Sequence, residues 1–205
     1  MTGPGISSWT TPMLEGRHVS LSPLDATHAD GLRAAAADGA LWTLRYTSVP
    51  GPGPGEAEAY IAEALAQRDA GQSCPFVVRD AVGEIVGSTR YYDIDRGIPR
   101  VSIGYTWYAT RTQRTGLNTE AKLLLIDHAF DAWNCEAVAF ETSHENIRSQ
   151  TAILRLGARP DGVLRAHRRH RDGTLRDTHA FSILRHEWPA LADALQRKLE
   201  SHPNV

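Results

Sequence analysis

The run Gln113-Arg114-Thr115-Gly116-Leu117-Asn118-Thr119-Glu120-Ala121-Lys122 has the residue types and order needed to hold a phosphate. It follows a β-like run, Val101 to Tyr108, and opens an apolar helical run, Leu123 to Trp133. The first N–H groups of a helix lack intrahelical acceptors, and the helix dipole places partial positive charge beside them. Arg111 and Arg114 add formal charge there. Gly116 removes a Cβ where a ligand would approach the backbone. Ordinary strand-to-helix turns also use Gly, Asn and Thr, so this loop alone leaves both readings open.

A second strand–helix unit follows. Glu136 to Thr142 reads as a strand, Ser143-His144-Glu145-Asn146 as a polar junction, and Ile147 to Leu156 as a helix stopped by Gly157. Asn146 is well suited to cap that helix. Glu141, His144, Asp93 and Asp95 are the candidate bases, with His144 carrying the better ordinary pKa for neutral work. A lone Glu or His in such a place is more often solvated or structurally bonded.

With both units in place, the chain resembles the Gcn5-related N-acetyltransferases. Their acyl-CoA loop reads Gln/Arg-x-x-Gly-x-Gly/Ala, and here it is Gln113-x-x-Gly116-x-Asn118, with the last position departing from the pattern. Asn118 would serve there as a helix cap. The closer likeness is to the ribosomal-protein-alanine (Rim-like) branch. It rests on Gly116-Leu117-Asn118-Thr119-Glu120-Ala121, Asn146-x-x-Ser149, Leu156-Gly157-Ala158 and the late run Asp172 to Thr178, and it covers Leu14 to Pro189.

The resemblance implies an acetyl-CoA-dependent transfer to a primary amine, with no metal. It implies that the strand ending at Tyr108 splays from the next one beyond a bulge, so that the pantetheine arm pairs with Thr106, Trp107 and Tyr108. Arg111, Gln113, Arg114, Thr115, Gly116, Leu117, Asn118 and Thr119 would hold the coenzyme's phosphates. Asn146 would bond the pantetheine arm, and Ser149 would protonate the departing thiolate. An aromatic strand packed in ordinary alternation would produce the same letters at Tyr105 and Trp107.

Selectivity for the acceptor is expected from Trp42, Arg45 and Tyr46 and the Pro50–Gly55 run that follows, a lid with aromatic anchors and one cation. Trp42 and Tyr46 at i, i+4 of a short helix would look the same. The basic run Arg165 to Arg171 precedes an Asp172-Gly173 turn and reads first as a solvated hairpin face. A patch for an acidic partner or the coenzyme's 3′-phosphate is the second reading. His167 and His170, without Cys or carboxylate partners, make a poor metal site. The run lacks the interleaved aromatics that RNA binding calls for.

The remaining features bound the class. At 205 residues the chain suits one domain, and its net charge of -2 shows no global bias towards nucleic acid or a membrane. The start has no signal-peptide core, and Cys74 and Cys135 read as buried thiols, so a cytoplasmic setting is expected. Strand and helix signals run β-α-α-β-β-β-α-β-α-β-β with a terminal helix. The short first strand is His18 to Leu21, the first helix Asp25 to Asp38, and the second Glu56 to Ala70, stopped at Gly71. These predict an α/β domain with a mixed, mostly antiparallel sheet and helices on both faces. Residues 1–13 are expected as a flexible tail, 14–188 as the acetyltransferase domain, and 189–205 as a C-terminal helix and tail. A catalytically silent acyl-CoA-binding module is the alternative function. A homodimer is compatible with the sequence but not written in it.

Overall fold

The computed structural model describes residues Trp9 to Ser201. Its strands are β1 (Leu14–Glu15), β2 (Val19–Pro23), β3 (Ser73–Asp80), β4 (Ile85–Asp95), β5 (Arg100–Tyr108), β6 (Ala137–Ser143), β7 (Arg159–Arg169) and β8 (Leu175–Leu184). Its helices are α1 (Ala29–Ala37), α2 (Glu56–Asp69), α3 (Leu117–Asp131), α4 (Ile147–Arg155) and α5 (Trp188–Glu200). All strands join one sheet in the order β1-β2-β3-β4-β5-β6-β8-β7. Every neighbouring pair is antiparallel except β5 and β6, which run parallel.

Adjacent residues of a strand point to opposite faces, and β4 shows which helices cover which face. Tyr91 donates its hydroxyl hydrogen to the Leu125 carbonyl of α3 at 2.5 Å. Its neighbour Arg90 donates to Gln67 of α2 at 3.2 Å. So α2, with α1 beside it, lies over one face and α3 over the other. On α3, Leu125, Ile126, Ala129 and Phe130 are all buried. Burial at roughly 1.5–3 kcal/mol per large apolar side chain makes this helix a main anchor of the core.

Turn chemistry sets most element ends. Gly71 (φ 71°) and Gly157 (φ 92°) adopt the left-handed conformation that stops α2 and α4. The expected first helix is a 3-10 turn, Ala26–His28, capped by Asp25 and running into α1. The expected first strand is β2, with two-residue β1 paired outside it.

Two boundaries need correction. Trp9 is buried and stacks on Trp133 with ring centroids 4.7 Å apart, while its carbonyl accepts from the Cys74 thiol at 3.3 Å. The expected tail therefore includes core; residues 1–8 lie outside the described part. At the other end, Trp188 donates to Asp127 of α3 at 2.6 Å and Leu195 is buried. Helix α5 is thus part of the domain. Trp133 lies beyond the end of α3, where it packs between Trp9 and Tyr91.

Candidate active site

The site is made by a fault in the sheet. β5 and β6 pair only where Arg100, Val101 and Ser102 face Ala137, Val138 and Ala139. Both strands continue, to Tyr108 and Ser143, without pairing with each other. A bulge sits at the divergence: Ser88 faces Trp107 and Arg90 faces Gly104, leaving Tyr105 and Thr106 opposite Thr89 alone. Tyr105 takes φ 52°, a conformation costly for an aromatic residue. A bulge bends its strand, and here the bend opens a cleft edged by backbone groups that an extended ligand can pair with. Thr106, Trp107 and Tyr108 lie on that edge. Trp107 is pinned by its Nε1–H bond to the Tyr60 hydroxyl at 3.2 Å. The Tyr108 hydroxyl is buried with no partner among the described residues, and burial pushes its pKa up.

Behind the bulge, Lys122 of α3 is buried with its ammonium nitrogen 2.8 Å from Thr106 Oγ1 and 3.5 Å from Thr89 Oγ1. No carboxylate pairs with it among the described residues, and burial lowers its pKa to about 7. Sequence reasoning missed this lysine. Its signal was one cation between Ala121 and Leu123 on an apolar helix.

The loop before α3 forms the mouth of the cleft. Gln113 donates from Nε2 to the Tyr108 carbonyl at 3.0 Å, and its Oε1 accepts from Arg148 of α4. One side chain therefore bridges the two walls. The backbone N–H groups of Arg114, Thr115 and Gly116 have no acceptor among the described residues, and the exposed Arg114 side chain has no partner there. Arg111 is committed: its backbone N–H and Nη1 both donate to Asp38 Oδ2, at 3.1 and 3.3 Å.

Two expectations for this loop change. Helix α3 begins at Leu117 with Gly116 as N-cap, so Asn118 lies inside the first turn with Thr119 and does not cap it. Thr115 Oγ1 instead accepts from Leu117 N at 3.3 Å. Gly116 has φ −64°, and a Cβ there would meet Leu199 of α5 at 3.1 Å and His18 at 3.5 Å. Close packing of α5, and not a ligand, occupies the space its missing Cβ leaves.

Asn146, on the other wall, caps α4 by accepting from Ser149 N at 3.1 Å. Its amide nitrogen and the Ser149 hydroxyl make no bond to the described residues. His144 Nδ1 accepts from the Asp177 backbone N–H at 3.2 Å. The same nitrogen lies 3.4 Å from the Asp177 carbonyl, so the Asp177 backbone holds that edge of the ring in either tautomer, and Nε2 is the nitrogen left to meet the cleft. Glu141 pairs with Arg168 at 3.2 Å. Asp95 accepts from the N–H groups of Gly97 and Ile98 at 2.8 and 3.1 Å, holding the β4–β5 turn.

The expected acceptor segment is strapped to this wall. Arg45 makes a two-pronged pair with Glu145, at 2.9 and 2.6 Å, and a third bond to Asp172 at 2.9 Å. These acids hold its guanidinium, so it is not waiting for a ligand carboxylate. Arg171 completes the strap by donating from its backbone to the Arg45 carbonyl at 3.1 Å and from Nη1 to the Val49 carbonyl at 3.1 Å. Trp42 lies in a 3-10 turn, Leu41–Thr43, half-buried against the core, and Tyr46 follows in a turn. The two do not share a helix. β7 is exposed along its length, as a solvated hairpin face requires. His170 departs from that reading: it is buried, with Nε2 2.9 Å from Ser143 Oγ and Nδ1 3.0 Å from Thr174 Oγ1.

A family model for the acetyltransferase (GNAT) domain matches residues 18–159. No curated protein sequence matches the chain. The solved structures similar to it include a GCN5-related N-acetyltransferase from Brucella melitensis, 31% identical, with a TM-score of 0.84 over 94% of this chain and 87% of that one. Mycobacterium smegmatis RimJ, solved with CoA-disulfide, is 22% identical with a TM-score of 0.77 over 93% and 96%. Microcin C7 self-immunity acetyltransferase MccE, solved with acetyl-CoA and AMP, is 17% identical with a TM-score of 0.71 over 82% and 93%. The last two likenesses are of fold alone.

Proposed function

The chain belongs to the GNAT acetyltransferase family, and on that premise we propose that it transfers acetyl from acetyl-CoA to a primary amine by direct attack in a ternary complex. The observation that carries this reading is the cleft where β5 leaves β6, next to a loop with unpartnered amides. Its parts fit the coenzyme: the β5 edge at Thr106 to Tyr108 suits the pantetheine amides, and the Arg114–Gly116 N–H groups with the Arg114 cation suit the pyrophosphate.

In the reaction the neutral amine nitrogen attacks the thioester carbonyl carbon. The N–C bond forms, the C–S bond breaks, and the sulfur leaves as a thiolate that takes the Ser149 hydroxyl proton, while the proton shed by the acylated nitrogen returns through water to the Ser149 oxygen. Asn146 positions the coenzyme with its free amide while its oxygen caps α4. Glu141 takes the ammonium proton through water, and Arg168 keeps that carboxylate in place. The acceptor is a protein N-terminal α-amine, as in the Rim-like branch, or a small amine. Coenzyme A release measured over a panel of amines, beside thermal shift with acetyl-CoA, tests the proposal. Stabilisation with amine-dependent release supports it; stabilisation with no release from any amine favours a silent acyl-CoA-binding module.

A further inference from the structure

Among the described residues, Arg90 is a buried cation without a counter-ion. It is 1% exposed, and its guanidinium lies over the rings of Tyr60 and Tyr105, 4.9 and 4.5 Å from their centroids. Its hydrogen-bond partner is a neutral one, Gln67 Oε1 at 3.2 Å, and its Nε–H has no acceptor among the described residues. A desolvated guanidinium normally pairs with a carboxylate, because an unpaired buried charge is strongly disfavoured. Tyrosine faces offset only part of that cost.

Place gives the missing partner its meaning. Arg90 faces Gly104 across the ladder, next to the bulge residues Tyr105 and Thr106, on the α2 side of the sheet. Gln67 and Tyr105, both touching the guanidinium, also line a cavity of about 770 Å³ that extends past Tyr92 to Asp93 and Asp95. The anion that completes Arg90 would therefore lie beside the bulge that opens the proposed coenzyme cleft.

Resting on the acetyltransferase reading and deepening it, we propose that Arg90 recognises a carboxylate of the acceptor, so that the acceptor is a small molecule carrying both a primary amine and a carboxylate. The carboxylate displaces the Gln67 carboxamide and takes the planar fork of the guanidinium, exchanging a neutral acceptor for a charged one. Asp93 and Asp95 on the cavity wall oppose a dianion such as a phosphate monoester and tolerate a zwitterion. Arg45, the cation of the expected acceptor lid, is not open to this carboxylate, because Glu145 and Asp172 already occupy it.

The test uses glycine, β-alanine and γ-aminobutyrate against their amides, in coenzyme A release. The N-acetylated forms of the same acids and amides are titrated by calorimetry in parallel. At least one acid is expected to exceed its amide by tenfold or more in kcat/KM, and its acetylated form to bind correspondingly tighter. In Arg90→Met that ratio should fall towards one, and Arg90→Lys, which keeps charge but loses the fork, should lie between. The wild-type comparison needs no variant, so a misfolded Arg90→Met cannot shelter the proposal. Acids bound and used no better than amides would overturn it, as would a preference that survives in Arg90→Met. Selective binding of the acetylated acids without any coenzyme A release would support the carboxylate site and sink the transfer reading instead.

Discussion

The residues that face the cleft divide into those with free chemical capacity and those already committed. Ser149 has a hydroxyl with no partner among the described residues at the start of α4, whereas His144 is held at Nδ1 by the Asp177 backbone. Ser149→Ala is therefore expected to lower kcat by on the order of 10²–10⁴ with little change in the KM for acetyl-CoA; turnover at the parent rate would leave Ser149 a helix-start residue. Glu141→Gln should lose activity most at neutral pH and regain it as pH rises, since the acceptor amine then loses its proton unaided. A flat ratio of variant to parent across pH would remove Glu141 as the base. Lys122 carries a stability prediction. Its folded-state pKa of about 7 lies below the ordinary lysine value near 10.4. Between those values the unfolded chain binds the extra proton, so this group's contribution makes stability rise with pH across the window. Lys122→Met should be the more stable protein at pH 7, with its advantage shrinking towards pH 10 in urea unfolding. Comparing the two proteins cancels the opposing alkaline contribution of the buried Cys135 thiol, whose pKa burial raises to about 11. An advantage independent of pH would show that Lys122 is not held neutral. The sequence carried Ser149 and Asn146 openly, because helix caps are local. It concealed Arg90 and Lys122, because a cation becomes unusual only once burial strips it of partners.

At the level of elements, the cleft exists because one bulge bends β5 away from β6. Local signals revealed the strands, the glycine stops and the Pro50–Gly55 loop, since each depends on residues adjacent in the chain. The strap did not show, because Arg45 meets Glu145 and Asp172 from 100 and 127 residues away. Strap and cleft share a wall, since Glu145 precedes the Asn146 cap. Arg45→Ala should therefore loosen the Trp42–Tyr46 segment more than it destabilises the fold. These solvent-screened pairs add little to stability. The acceptor KM is expected to rise on the order of tenfold, equivalent to about 1.4 kcal/mol, with the acetyl-CoA KM nearly constant. Steady-state kinetics with both substrates varied decides this, and equal small changes in the two constants would place the acceptor away from the strap.

Across the described residues, two helical layers and a mixed sheet converge on the opening where β5 leaves β6. Class and sheet composition were legible from alternation and element order, and the order of short motifs pointed to the family. The reach of the core was not: Trp9 and α5 both pack into a domain expected to span 14–188, because Trp9–Trp133 stacking and Trp188–Asp127 bonding join distant parts of the chain. On the proposed reading, this arrangement serves to hold the coenzyme in the opening between β5 and β6. The crystal structure of the acetyl-CoA complex measures that directly. The pantetheine arm is expected along Thr106 to Tyr108, the pyrophosphate on the N–H groups of Arg114 to Gly116, and the thioester beside Ser149. A coenzyme bound elsewhere, with the edge of β5 unpaired and those amides untouched, would contradict the account.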